Sequence, residues 1–163
     1  MRAQAILAMI LFAASVASVA AQTPQPAETS AAPVPAQFIN AKRVFIANGA
    51  GDNNPDVTKS TNGPNGIYNQ FYADVKTLGR YELVSSLSEA DIVFEITVDY
   101  TVFNRTVPYP QFRIEVRDPK TNVLLWTFTE PMTGNVFSKS GSKYVAQSIS
   151  RLTDDLKKLV GSP

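Results

Sequence analysis

Between Asp91 and Thr101 the chain alternates strictly enough to leave one interpretation. Ile92, Phe94, Ile96, Val98 and Tyr100 fall on one side, and Glu95, Thr97 and Asp99 on the other, with Val93 the exception. A period of two means an extended strand with one buried and one wet face. The alternation returns at Phe112, Ile114 and Val116 against Arg113, Glu115 and Arg117, and again in Leu124, Trp126 and Phe128. Asp118-Pro119-Lys120-Thr121-Asn122 separates the last two runs as a turn with proline in its second position. Three such runs predict an antiparallel meander. Arg113 and Arg117 are placed to pair across strands with Glu95 and Asp99.

Upstream lie a short apolar strand, Lys42 to Ala47, and a Gly-, Asn- and Asp-rich loop over 48–65. A helix follows over Gly66 to Leu78, with Ile67, Phe71, Val75 and Leu78 at helical spacing. Asn62 or Asn65 is the candidate cap, and Gly79 occupies the left-handed stop. Tyr81 to Val84 reads as a second strand, parallel to the first through a right-handed crossover. Ser85 to Ala90 reads as a turn or one helical turn. A closing helix from about Ser142 to Val160 carries a stripe of Val145, Ile149, Leu152, Leu156 and Leu159. Lys157 and Lys158 complement its dipole, and Gly161 ends it. The predicted fold is α+β, in the order β-α-β-β-β-β-α: a mixed five-stranded sheet with two helices packed on one face.

The first residues are of another kind. Arg2 precedes an apolar run from Ala5 to Val19, and Ser18-Val19-Ala20 supplies small residues for cleavage. This reads as a secretory signal peptide over 1–20, short for a membrane span. Residues 21–40, with Pro24, Pro26, Pro33 and Pro35 among Ala, Ser, Thr and Gln, read as a disordered, polyproline-leaning linker. One α+β domain is expected over 41–161, about 120 residues, enough for a single core.

Composition narrows the chemistry. The sequence has no cysteine and no histidine. Disulfides, thiolate sites and cysteine nucleophiles are excluded, as is a lipidated N-terminal cysteine after cleavage. The commonest general base and metal ligand is missing. An exported chain without disulfides suits a bacterial periplasm. The formal net charge is +1, and loss of Arg2 leaves it neutral, without the footprint of a nucleic-acid or anionic-membrane binder.

Arg43-Val-Phe-Ile-Ala47, Gly79-Arg-Tyr-Glu-Leu-Val84, Ala90-Asp91 opening a long strand, and Val116-Arg-Asp118 before a turn form a pattern. Over about residues 42–130 it resembles the N-terminal domain of the periplasmic protein TolB and its relatives. The departures are a longer loop after the first strand, an added terminal helix and no β-propeller. The resemblance implies a non-catalytic envelope domain working through protein contacts, and it carries over no binding residue.

Catalytic constellations are sparse. Ser140-Gly-Ser-Lys143 matches S-x-x-K at a helix start, but its companion motifs are absent, and an N-cap serine is the simpler reading. Asp52-Asn-Asn-Pro-Asp56 opens like a calcium loop but has Val57 for the glycine and Gly63 for the twelfth-position acid. Gly49-Ala-Gly51 is a fragment of a phosphate loop, with Asn54 for its third glycine. Glu95, Asp99 and Glu115 share a sheet face, the geometry of a glycosidase pair only if held in a cleft. No catalytic residue, cofactor or metal site is assigned. The connection over 102–111 holds Phe103, Arg105 and Tyr109 beside two prolines, and rigid aromatics with an arginine suit a protein contact. The expectation is a non-enzymatic periplasmic or secreted domain that binds an envelope protein, without nucleic acid, membrane span or lipid anchor, and of open oligomeric state. A small exported hydrolase and a small-ligand carrier between helices and sheet are the alternatives.

Overall fold

The computed structural model describes residues 32–49, 63, 65–103, 107–134 and 138–161, with backbone alone for 100–103 and 107–109. The signal segment, most of the linker and the loop bearing Asp52 and Asp56 lie outside the described residues. From Pro33 on, the described residues belong to one compact unit, Pro33–Pro163. Its elements run α1 (Ala36–Asn40), β1 (Arg43–Asn48), α2 (Gly66–Leu78), β2 (Glu82–Val84), a 3-10 turn (Leu87–Glu89), β3 (Ile92–Phe103), β4 (Val107–Arg117), β5 (Leu124–Pro131) and α3 (Gly141–Val160).

The five strands form one mixed sheet in the order β2-β1-β3-β4-β5. β1 pairs in parallel with β2 and β3, while β3–β4 and β4–β5 are antiparallel. The alternation seen in the sequence sets the faces. Ile92, Phe94, Ile96, Phe112, Ile114 and Val116 are buried, and so are Ile67, Phe71 and Val75 of α2 and Val145, Ile149, Leu152 and Leu156 of α3. These side chains make one continuous core. α2 ends at Gly79 with φ +67°, the left-handed stop its sequence predicts.

Two boundaries differ from expectation. Domain structure begins before residue 41. Ala36–Asn40 is helical, and Phe38 is fully buried, with Val34 and Ile39 packed partly buried against the same core. Its ring stands edge-on to Phe94 and to Phe128, centroids 6.1 Å apart in both cases. The second difference is at 102–111, where strands replace the expected loop: β3 continues to Phe103 and β4 starts at Val107. Thr101, Val102, Phe103, Val107 and Tyr109 are strand formers, and prolines are tolerated where their nitrogens point away from the ladder.

Asp91 ties the lower end of the sheet together. Its carboxylate accepts the backbone N–H of Lys42 at 3.0 Å and of Arg43 at 2.8 Å, and pairs with the Arg43 guanidinium at 3.2 Å. These bonds, the Arg43 N–H first, hold its pKa below the usual carboxylate value. Gln37 of α1 donates to the Asp91 carbonyl at 3.3 Å and to the Asp118 carboxylate at 2.7 Å. The Ala-Asp pair opening the long strand is therefore a clamp for the start of β1.

Candidate functional site

β3 and β4 outrun the rest of the sheet. The last β1–β3 pair is Asn48 with Ile96, and the last β4–β5 pair is Gln111 with Pro131. β3 and β4 remain paired to Phe103 and Val107. Among the described residues they form a two-stranded arm above Gln111, about 14 Å long at the strand rise per residue.

The two edges of the arm differ. The Met132 N–H donates to the Pro110 carbonyl at 3.0 Å, so even-numbered residues of β4 turn their backbone groups toward β5. Pro108 and Pro110 occupy those positions and have no N–H to offer. That edge is closed to strand addition. On β3, the Ile96 carbonyl accepts the Gly49 N–H at 3.0 Å, so even-numbered residues there face the β1 side. Among the described residues, no strand pairs with that side of β3 above Ile96.

Two of the sequence-predicted contact residues, Phe103 and Tyr109, have their backbone in this arm. Phe103 is the last residue of β3, opposite Val107, and Tyr109 lies opposite Thr101. Their side chains, and Arg105 altogether, lie outside the described residues.

The carboxylates singled out in the sequence do meet, in a ladder below the arm on the outer sheet face. Glu95 and Glu115 are direct cross-strand partners. Arg117 bridges them, with Nε 3.2 Å from Glu95 Oε2 and its Nη2 bonded to Glu115 Oε2. Arg113 pairs with Asp99 at 2.5 Å and stands 3.6 Å from Glu115. The two cross-strand pairings expected from the sequence are both present. Each carboxylate is thus engaged by a guanidinium that stays cationic throughout the working pH range.

Ser140 and Lys143 are exposed at the start of α3. The Ser140 hydroxyl makes no capping bond; its backbone carbonyl accepts the N–H groups of Lys143 and Tyr144 instead. Asn65, at the head of α2, likewise makes no side-chain cap and accepts a bond from Asn48 at 3.3 Å.

Two surface grooves were not legible in the sequence. One, of about 540 Å³, runs between α2 and α3 past Asp74, Ser150, Asp154 and Lys157. Burial pushes the Asp74 carboxyl up, against hydrogen bonds from Gln70 and Ser150 that lower it, and Asp154 adds to the rise. The other, of about 530 Å³, lies between α2 and β2 with Tyr68, Tyr72, Leu83 and Val84 on its walls. Both depend on how α2 seats against its neighbours, which helix periodicity does not specify. The space between helices and sheet, where a carried ligand was considered, is filled by Phe71, Phe94, Phe112, Ile149 and Leu152. Among the described residues no group of three acidic, histidine or cysteine side chains converges for a metal, and no helix is long and apolar enough to cross a membrane.

No protein-family model matches the chain, and no curated protein does. Among solved structures it is similar to the PelC dodecamer from Paraburkholderia phytofirmans, at 17% identity over 76% of this chain and 91% of that one, with a TM-score of 0.47. It is also similar to a Xanthomonas campestris protein of family DUF330, at 12% identity over 74% and 82%, TM-score 0.41. A minor lipoprotein from Acinetobacter baumannii matches at 12% identity over 73% and 90%, TM-score 0.36. At these identities and scores no activity or partner passes to this chain. The TolB resemblance rests on its short motifs, and these structures do not add to it.

Proposed function

We propose that this chain is a non-enzymatic exported domain that binds another component of a bacterial envelope through the β3–β4 arm. The observation that carries the reading is the arm itself: β3 and β4 stay paired past the rest of the sheet, with the backbone of Phe103 and Tyr109 in the extension. The signal-like leader supports a location in the periplasm or outside the cell. The TolB-like motifs point to the same kind of work. Arginines on Glu95, Asp99 and Glu115, and the exposed setting of Ser140 and Lys143, favour recognition over hydrolysis.

The test is site-specific photo-crosslinking in intact cells. A photoreactive residue at Arg105 or Tyr109 is expected to give a discrete adduct, and one at Lys157, on the helix side, is not. No adduct from the arm, or a partner captured from Lys157 alone, overturns the proposal. A hydrolase substrate panel with Ser140→Ala and Glu115→Gln tests the enzymatic reading; activity abolished by either change would also defeat it.

A further inference from the structure

We infer that two copies of this chain pair through their arms, β3 against β3, in an antiparallel two-fold contact made by the backbones of Tyr100 and Val102. The inference rests on the arm being a contact surface and adds a second copy of the chain at its β3 edge.

Three observations lead to it. First, among the described residues the arm is only two strands wide above Gln111, and a two-stranded ribbon is marginal in water until further strands join it. Secondly, its edges are unequal. Pro108 and Pro110 remove the donors on the β4 side, whereas Tyr100 and Val102, of the same parity as Ile96, turn N–H and C=O outward on the β3 side. Natural sheets protect such edges with charge, proline or a bulge. From Tyr100 to Phe103 this edge has none of these residues: it reads Tyr-Thr-Val-Phe. Thirdly, the edge complements itself. An antiparallel copy sets Tyr100 opposite Val102 and Val102 opposite Tyr100, each pair exchanging two hydrogen bonds across a two-fold axis at Thr101. No charged residue lies between Tyr100 and Asn104, so pairing brings no like charges together. Because the β4 edge is closed, pairing happens once: the product is a closed four-stranded ribbon of two arms and not a filament. A foreign strand would meet the same edge, but every copy presents a segment of matching length and neutral character.

The test uses the purified full chain. Sedimentation equilibrium should show a concentration-dependent dimer. Val102→Pro removes one outward N–H from each copy and spares the β3–β4 ladder, which odd-numbered residues make. It should raise the dissociation constant about thirtyfold, while Val102→Ala, which keeps the N–H, should change it little. Hydrogen exchange on the unmodified chain gives a second readout that does not depend on a variant folding. The Tyr100 and Val102 amides should gain protection with protein concentration, while those of Thr101 and Phe103 are protected at every concentration. A chain monomeric at all concentrations, a dimer that Val102→Pro leaves intact, or concentration-independent Tyr100 and Val102 amides overturns the pairing. Heterologous adducts from Arg105 or Tyr109 together with a monomeric chain would refute this inference and leave the proposed function standing.

Discussion

Phe38→Ala is the sharpest probe of where this domain begins. Phe38 lies in a five-residue helix following Pro33 and Pro35, yet none of its surface reaches solvent. Its ring meets Phe94 at 89° and Phe128 at 77°, linking β3 and β5 through one side chain. Truncating a buried phenylalanine to alanine costs about 3–5 kcal/mol, of which two edge-to-face contacts account for about 0.5–1.5 kcal/mol each. α1 does not simply lift away to relieve the cavity. Arg80 Nη2 donates to the Ile39 carbonyl at 2.7 Å and Gln37 holds Asp118, so the backbone stays docked while the ring is lost. For a domain of this size each kcal/mol moves the midpoint by roughly 3–5 °C, giving a fall on the order of 10–20 °C. Urea unfolding followed by tryptophan fluorescence and circular dichroism, with the slope compared to the parent, gives the free energy directly. A loss below about 1 kcal/mol would show that α1 is an appendage, and would refute its place in the core.

Two further outcomes follow from the ion pairs. Arg117→Met leaves Glu95 and Glu115 opposed on adjacent strands, and a loss of about 1 kcal/mol is expected after allowance for partial exposure. Adding Glu115→Gln should restore at least about half of it, a coupling that a double-mutant cycle in urea measures; strictly additive losses would count against the ladder. Asp118 is held at about 2, against an ordinary 3.8, first by the Gln37 side chain and then by the Thr121 and Lys120 N–H groups. Its folded pKa is depressed, so its stabilising contribution is complete above the unfolded value and vanishes as pH falls through about 2. Asp118→Asn should therefore flatten the loss of stability between about pH 5 and pH 2 in acid titrations, and an unchanged slope would contradict the assignment.

The strands and long helices were legible because each is many residues of one period. Period two fixed the inner face of β3 and β4. The helical stripe named Val145, Ile149, Leu152 and Leu156, all buried, although Leu159, near the end of the helix, is only half-buried. Gly79 ended α2 for the anticipated reason. What escaped has a common cause: it depends on a single residue whose partner is distant in sequence. α1 is one turn long, with Phe38 as its only fully buried residue, so it carries no periodicity to detect. The strand character of 102–111 was masked by Pro108 and Pro110, whose nitrogens face the β5 side, away from the β3–β4 ladder. Asp91 was visible as part of an Ala-Asp pattern, but its bonds to Lys42 and Arg43 span almost fifty positions. The cross-strand pairs of Arg113 and Arg117 were legible because alternation fixes register to within one residue. The Ser140 hydroxyl was not, because the backbone carbonyl took its role.

The position of β1 has a mechanical consequence. Chain entering through α1 passes directly into a strand flanked on both sides by parallel neighbours, and the Asp91 carboxylate grips it at the point of entry. Tension that reaches β1 past α1 is shared by the two rows of hydrogen bonds on either side of it. A module wired this way can be tugged by whatever lies upstream while the opposite end of the sheet keeps its hairpin in place.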